Sequence, residues 1–267
     1  DEIYMDGNSL GLLSKDAEAS IIRMVGEWKQ LGINGWLNAE TPWFYYPEEL
    51  ARQFAPLVGA EPEEIILHAS TTINIHALIS TFYAPVENKR KILIEKNAFP
   101  TDRYAVQSQL KLNGFDSNQD LIEVENLDDG FLDESEIIAA MTEEVGLILL
   151  PSVLYRSGQL MNMELLTKEA HQRGIIIGFD CSHSVGAVPH LLSEWEVDFA
   201  CWCTYKYCNS GPGGVAGLYV NKKHFDKEPT LSGWFGSAKN KQFDMAHTIE
   251  YAESAGAWQT GTPHLLS

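Results

Sequence analysis

GIIIGFDCSH (residues 174–183) decides the fold. Residues 175–177 and 179 are apolar, one glycine interrupts them, and the run ends in aspartate. A strand with one wet face alternates apolar and polar residues, whereas a strand covered on both faces does not. The same two-sided character returns in ILIE (92–95) and LILL (147–150), as a parallel sheet under two helical layers requires. Working outward, strands are expected over 91–96, 120–125, 145–151, 174–180, 197–203 and 214–220, with a short one in EEIILHAS (63–70). Helices are expected between them over 72–83, 101–112, 133–142 and 163–173.

Ahead of this alternation, Ala17, Ile21, Met24, Val25 and Trp28 recur at helical spacing, so 16–31 reads as an amphipathic helix. Gly32 and the pair Asn34-Gly35 end it, and Pro47 suits the first turn of a helix running to about residue 57. The expected architecture is α/β: a mostly parallel, doubly wound sheet with helices on both faces over 45–225. Residues 1–44 form an N-terminal segment. After 226 the pattern loosens, and 226–267 is expected to begin the connection to a smaller C-terminal domain that is largely absent. The opening DEIYMDGNSLG reads as mid-protein, without a basic-then-apolar leader.

With 19 Lys and Arg against 37 Asp and Glu, the formal charge is −18. That field repels phosphate backbones and anionic lipid, so nucleic acid and membrane surfaces are not expected as partners. No apolar run approaches the roughly 20 residues that span a bilayer. The four cysteines, Cys181, Cys201, Cys203 and Cys208, suit reduced thiols in a cytoplasmic protein, and a single CxC gives no metal-site spacing.

Open α/β sheets bind ligands beyond the carboxyl ends of their strands. Lys206, in TYKYCNSGPGG (204–214), follows one such end. It is either a solvated loop lysine or a Schiff-base lysine, whose amine must fall below its usual pKa of about 10.4 to attack a carbonyl. Asp180 is either a turn residue or the partner that keeps a pyridinium nitrogen protonated. Ser70, Thr71 and Thr72 either cap a helix or cradle a phosphate at its N-terminus. Phe99 could stack on a ring or pack in the core; Asp102 follows it on the next helix. His183 could bond near Asp180 or be structural. The glycines of GPGGVAG precede a strand, so they are not a dinucleotide loop.

These residues resemble the kynureninase family, fold-type-I pyridoxal phosphate enzymes of the class V aminotransferase group. The matching segments are GNSLGL (7–12), STTINIH (70–76), FPTDRYAVQSQL (99–110), DCSHSVGAVP (180–189) and YKYCNSGPGGVAGLYV (205–220). The resemblance implies hydrolysis of L-kynurenine, or its 3-hydroxy form, to an anthranilate and L-alanine, a step of tryptophan breakdown and NAD formation. It implies Lys206 as the cofactor lysine, Asp180 at the ring nitrogen and Tyr205 as a cofactor contact; from its adjacency to Lys206, Tyr205 is also expected to donate a proton. Thr71, Thr72, Phe99, Asp102 and His183 would bind pyridoxal phosphate, with Trp234 and Thr262 at two later cofactor positions. Ser9 and Trp36 resemble substrate-pocket positions, Trp36 standing where other members carry histidine. Pro151 stands where some members carry a cofactor-contacting serine. A homodimer with sites at the subunit interface is implied, as is an arginine for the substrate carboxylate in the C-terminal domain. Another class V enzyme, such as a cysteine desulfurase or aminotransferase, and a non-catalytic cofactor-binding fragment are the alternatives.

Overall fold

The computed structural model describes residues 3–267. Helices α1 (Lys15–Leu31), α2 (Gly35–Asn38) and α3 (Tyr46–Val58) precede the sheet. Then come β1 (Ile65–Leu67), α4 (Thr71–Phe82), β2 (Lys91–Glu95), α5 (Pro100–Leu112), α6 (Ser117–Asp120) and β3 (Leu121–Val124). They are followed by α7 (Glu134–Ala140), β4 (Val145–Pro151), α8 (Met163–Gln172), β5 (Ile176–Asp180), β6 (Phe199–Trp202) and β7 (Gly217–Val220). The strands form one sheet in the order β1-β7-β6-β5-β4-β2-β3. β7 is antiparallel to both its neighbours, and the other pairings are parallel.

Both faces are covered, as the two-sided strands require. Leu93, Ile148, Leu150, Ile177 and Phe179 pack on one side with α3, α7 and α8. Their chain neighbours Ile92, Ile94, Leu147 and Leu149 pack on the other with α4 and α5. Gly178 is the interruption in GIIIGFD because the Phe199 ring fills the space a Cβ would need.

EEIILHAS is strand only over Ile65–Leu67. Before it, Pro62–Glu64 forms a 3₁₀ turn whose Glu61 and Glu64 cap one another. After it, the His68 carbonyl accepts from Asn74 Nδ2 at 3.0 Å, and Ala69 turns to φ 52°. The four-residue helices α2 and α6 escape a periodicity reading because one turn carries no repeat. Helix α1 forms as expected, but only Met24 on it is buried; Ile22, Val25 and Trp28 are exposed. Late in the chain, Ala255–Trp258 packs into the core, with Trp258 fully buried and stacked 6.2 Å from Phe82.

Candidate active site

Four strand ends bring their following residues to one edge of the sheet. Thr71 opens α4 after β1, and the Ser70 side chain accepts from Ile73 N to cap it. Phe99 caps α5 after β2, Asp180 ends β5, and Cys203 to Lys206 follow β6. Thr71, Thr72, Phe99, His183, Tyr205 and Lys206 line one cavity of about 290 Å³, and Ser9 reaches it from the N-terminal segment.

Lys206 is 8% exposed. Its Nζ lies 2.9 Å from His183 Nε2 and 5.9 Å from the centre of the Phe99 ring. Burial, then the Lys206 charge, holds His183 below its ordinary pKa against the pull of Asp180, so a neutral ring nitrogen can face the amine. The lysine turn is braced by Asn209 N donating to the Lys206 carbonyl at 3.2 Å. Gly11 N donates to the Tyr205 carbonyl at 2.8 Å, and a Cβ on Gly11 would collide with the Lys206 carbonyl. That close approach needs glycine, and it docks GNSLG against the turn, carrying Ser9 into the cavity.

Asp102 is 2% exposed and lies within hydrogen-bonding reach of the Asp180 carboxyl. Burial, then that neighbouring carboxyl, pushes Asp102 well above the usual carboxylate range, while Lys206 pulls it down. Asp102 Oδ1 is buried and finds no hydrogen-bond partner among the described residues. Asp180 Oδ1 accepts from Ser182 N at 2.8 Å. Tyr205 is held above the ordinary phenol range by burial, then by the neighbouring Cys203 thiol. Thr71 Oγ1 lies 3.0 Å from Cys203 Sγ, and Thr72 stands exposed on the first turn of α4, where free N–H groups and the helix dipole favour an anion.

Three candidates gather elsewhere. Trp36, Trp234 and Thr262 line a second cavity of about 480 Å³ walled by Phe44, Phe235 and Phe243. Trp36 sits 6.3 Å from Phe235, ring to ring. Conversely, Asn8, Thr101, Tyr155 and Cys203 line the lysine cavity without having been singled out. Tyr155, just past β4, meets Phe99 edge-on at 5.5 Å and lies 6.3 Å from His183. The strand-end rule reaches only the first residues after a strand, and Tyr155 lies four residues past the end of β4.

The arrangement fits pyridoxal phosphate on observations of this fold. A nearly buried amine, an aromatic ring and a carboxyl pair with an orphaned buried oxygen converge beside a helix N-terminus. The volume sits near the lower bound, about 300 Å³, of small-molecule sites.

Residues 39–267 match the family model described as Aminotransferase class-V. The chain is 58% identical over 265 residues to the kynureninase of Geobacillus thermodenitrificans, covering 99% of this chain and 62% of that protein. It is 56% identical over 267 residues to the kynureninase of Shouchella clausii, covering 100% and 62%. The chain thus spans about 62% of the length of these curated relatives. Among solved structures, the apo cysteine desulfurase of Thermococcus onnurineus superposes with a TM-score of 0.81 at 22% identity, covering 98% of this chain and 64% of that one. The cystine C-S lyase C-DES gives 0.81 at 19%, covering 97% and 67%. At those identities the likeness concerns the fold.

Proposed function

The chain belongs to the class V aminotransferase family, and from that premise we propose that it is the cofactor-binding part of a kynureninase. It would cleave L-kynurenine, or 3-hydroxy-L-kynurenine, with water to anthranilate, or its 3-hydroxy form, and L-alanine. The observation that carries this reading is the meeting of Lys206, His183 and Phe99 at one cavity, with the Asp102–Asp180 pair acting on that lysine and histidine from outside its lining. The similarity to kynureninases supports the substrate.

Bound there, pyridoxal phosphate supplies an electron sink for the substrate α-carbon. Lys206 holds the cofactor and then serves as a base for the α-proton, with His183 beside its amine to orient it. Asp180 would partner the ring nitrogen, and Asp102 beside it keeps its own proton to unusually high pH. Phe99 would stack on the ring. Thr71 and Thr72 would hold the phosphate at the start of α4. Tyr205, whose phenol stays protonated, returns a proton during cleavage. Water adds to the side-chain ketone, the bond between the carbonyl carbon and Cβ breaks, and the aromatic acid leaves.

Trp36, Trp234 and Thr262 then complete the site of a second copy, as in a homodimer with shared sites. The exposed apolar face of α1 supports such an interface. Four thiols with no disulfide among the described residues suit the cytoplasm, and no helix among those residues is long and apolar enough to cross a membrane. The division into 1–44, 45–225 and 226–267 belongs to the same reading, since β1–β7 all lie within the middle part.

The test is Lys206→Ala in the protein incubated with pyridoxal phosphate and kynurenine. Anthranilate fluorescence should fall by at least about 10³-fold, and the visible absorbance of bound cofactor should vanish. Turnover at the unaltered rate would remove Lys206 from the chemistry, and sulfide released from cysteine in place of anthranilate would favour a desulfurase.

A further inference from the structure

Beneath the site runs a buried polar chain that the chemistry above leaves unused. His190, Ser184 and Ser152 are 3%, 0% and 0% exposed. His190 Nε2 lies 2.8 Å from Ser184 Oγ, and Ser184 Oγ lies 2.6 Å from Ser152 Oγ. Ser152 Oγ donates to the Asp180 carbonyl at 3.1 Å, and Ser152 N donates to the same carbonyl at 2.9 Å. Ser184 Oγ is also 3.1 Å from the Cys181 carbonyl.

With the imidazole protonated at Nε2, His190 donates to Ser184, Ser152 donates to the Asp180 carbonyl, and the single Ser184 proton is shared between Ser152 Oγ and the Cys181 carbonyl. This tautomer is assigned from the bonding pattern. It leaves His190 Nδ1 with only a lone pair, and Nδ1 is the nitrogen that finds no partner among the described residues. Burial outweighs the opposing pull of the Val188 backbone and holds His190 below its ordinary range, so the chain stays neutral. The far end is clamped. Leu192 N and Ser193 N donate to the Val58 and Gly59 carbonyls at 3.0 and 3.1 Å, and a Cβ on Gly59 would collide with the His190 carbonyl.

Val58, Val185 and Leu192 belong to the apolar core on this side of the sheet. Apolar side chains would fill such a space without the desolvation cost of two hydroxyls and an imidazole. What the polar groups provide is direction. They hold the peptide after Asp180, while Ser182 N holds its carboxylate, which leaves that side chain little freedom to rotate. Asp180's ionisable neighbours are Asp102 on α5, His183 and Tyr205 on the loops, Cys201 in β6 and the adjacent Cys181. A small turn of its carboxylate changes its distance to each.

We infer that His190, Ser184 and Ser152 are positioning residues that aim the Asp180 carboxylate by fixing the peptide between residues 180 and 181. The inference rests on the reading of Asp180 as partner of the cofactor ring nitrogen.

The experiment compares Ser184→Ala, His190→Leu, the double variant and Ser152→Ala with the unaltered chain. Three quantities are read: melting temperature without cofactor, the dissociation constant for pyridoxal phosphate, and the pH midpoint of the bound cofactor's visible spectrum. Each single variant strands a buried polar partner and lowers the melting temperature. The double variant makes both partners apolar and recovers it. In the double variant and in Ser152→Ala, the dissociation constant stays raised about tenfold and the midpoint stays displaced by about half a pH unit or more. A double variant that recovers affinity and midpoint together with melting temperature overturns the proposal, as does a Ser152→Ala protein with both unchanged. If the unaltered chain takes up no pyridoxal phosphate, the functional reading falls and carries this inference with it. Normal uptake with an indifferent double variant sinks the inference alone.

Discussion

Asp102 shows what a single residue gains from its place in the fold. Burial and the Asp180 carboxyl raise its pKa well above 3.8, so the folded chain binds that proton more tightly than the unfolded one. Its contribution to stability is therefore complete below about pH 4 and is lost as pH rises through the folded value. Asp102→Asn keeps a neutral side chain of the same shape. The cofactor-free variant should gain in melting temperature over the unaltered chain as pH rises from about 5 to 8. A difference that stays flat across that range would contradict the raised value. Lys206, Phe99 and Thr71 were legible from the sequence as candidates because each lies within a few residues of a strand end, and Asp180 because it closes one. The pressure on Asp102 was not, since it arises from burial and then from Asp180, both of which come only with folding. Tyr155 and Cys203 were passed over for the same reason: nothing local marks a loop tyrosine or a strand-end thiol as facing a cavity.

At the scale of elements, Asp198 ties the opposite end of the sheet together. Its carboxylate accepts from Ile177 N of β5 at 2.9 Å, from His171 of α8 at 3.0 Å and from His224 and Lys223 after β7 at 2.8 Å each. Burial by itself would raise its pKa; the bonds from His171, His224, Lys223 and the Ile177 amide outweigh it and hold the carboxyl below the usual range. The stability this gives is present above about pH 4 and is lost as pH falls toward the folded value. Asp198→Asn should cost about 3 kcal/mol in urea unfolding at pH 7, and its deficit against the unaltered chain should shrink below about pH 4. A constant deficit would mean that the charge is not what matters. The strands and long helices themselves were readable, because apolar runs bounded by glycine, proline and capping residues carry their own period. That β7 runs against its neighbours was not, since pairing direction depends on contacts the local pattern does not encode.

For the whole molecule, the separation of Trp36, Trp234 and Thr262 from the lysine cavity makes a prediction about assembly. If one copy completes its partner's site, Lys206→Ala and Trp234→Ala proteins, each of low activity alone, should recover about a quarter of normal turnover when unfolded and refolded together at equal amounts. Random pairing makes half the dimers mixed, and each mixed dimer has one of two sites intact. Mixtures no more active than their parts would confine each site to one copy, and sedimentation at a monomer's mass would exclude the sharing outright. The sequence by itself determined the two-sided strands, their alternation with helices and the chemistry carried past their ends, because period, capping and turn preference are properties of neighbouring residues. Only the tertiary structure decided the strand order, the pressing of Asp102 against Asp180, the polar chain below them and the second aromatic cavity. Each of these depends on burial and on distances between residues remote in sequence, which packing sets and local pattern does not.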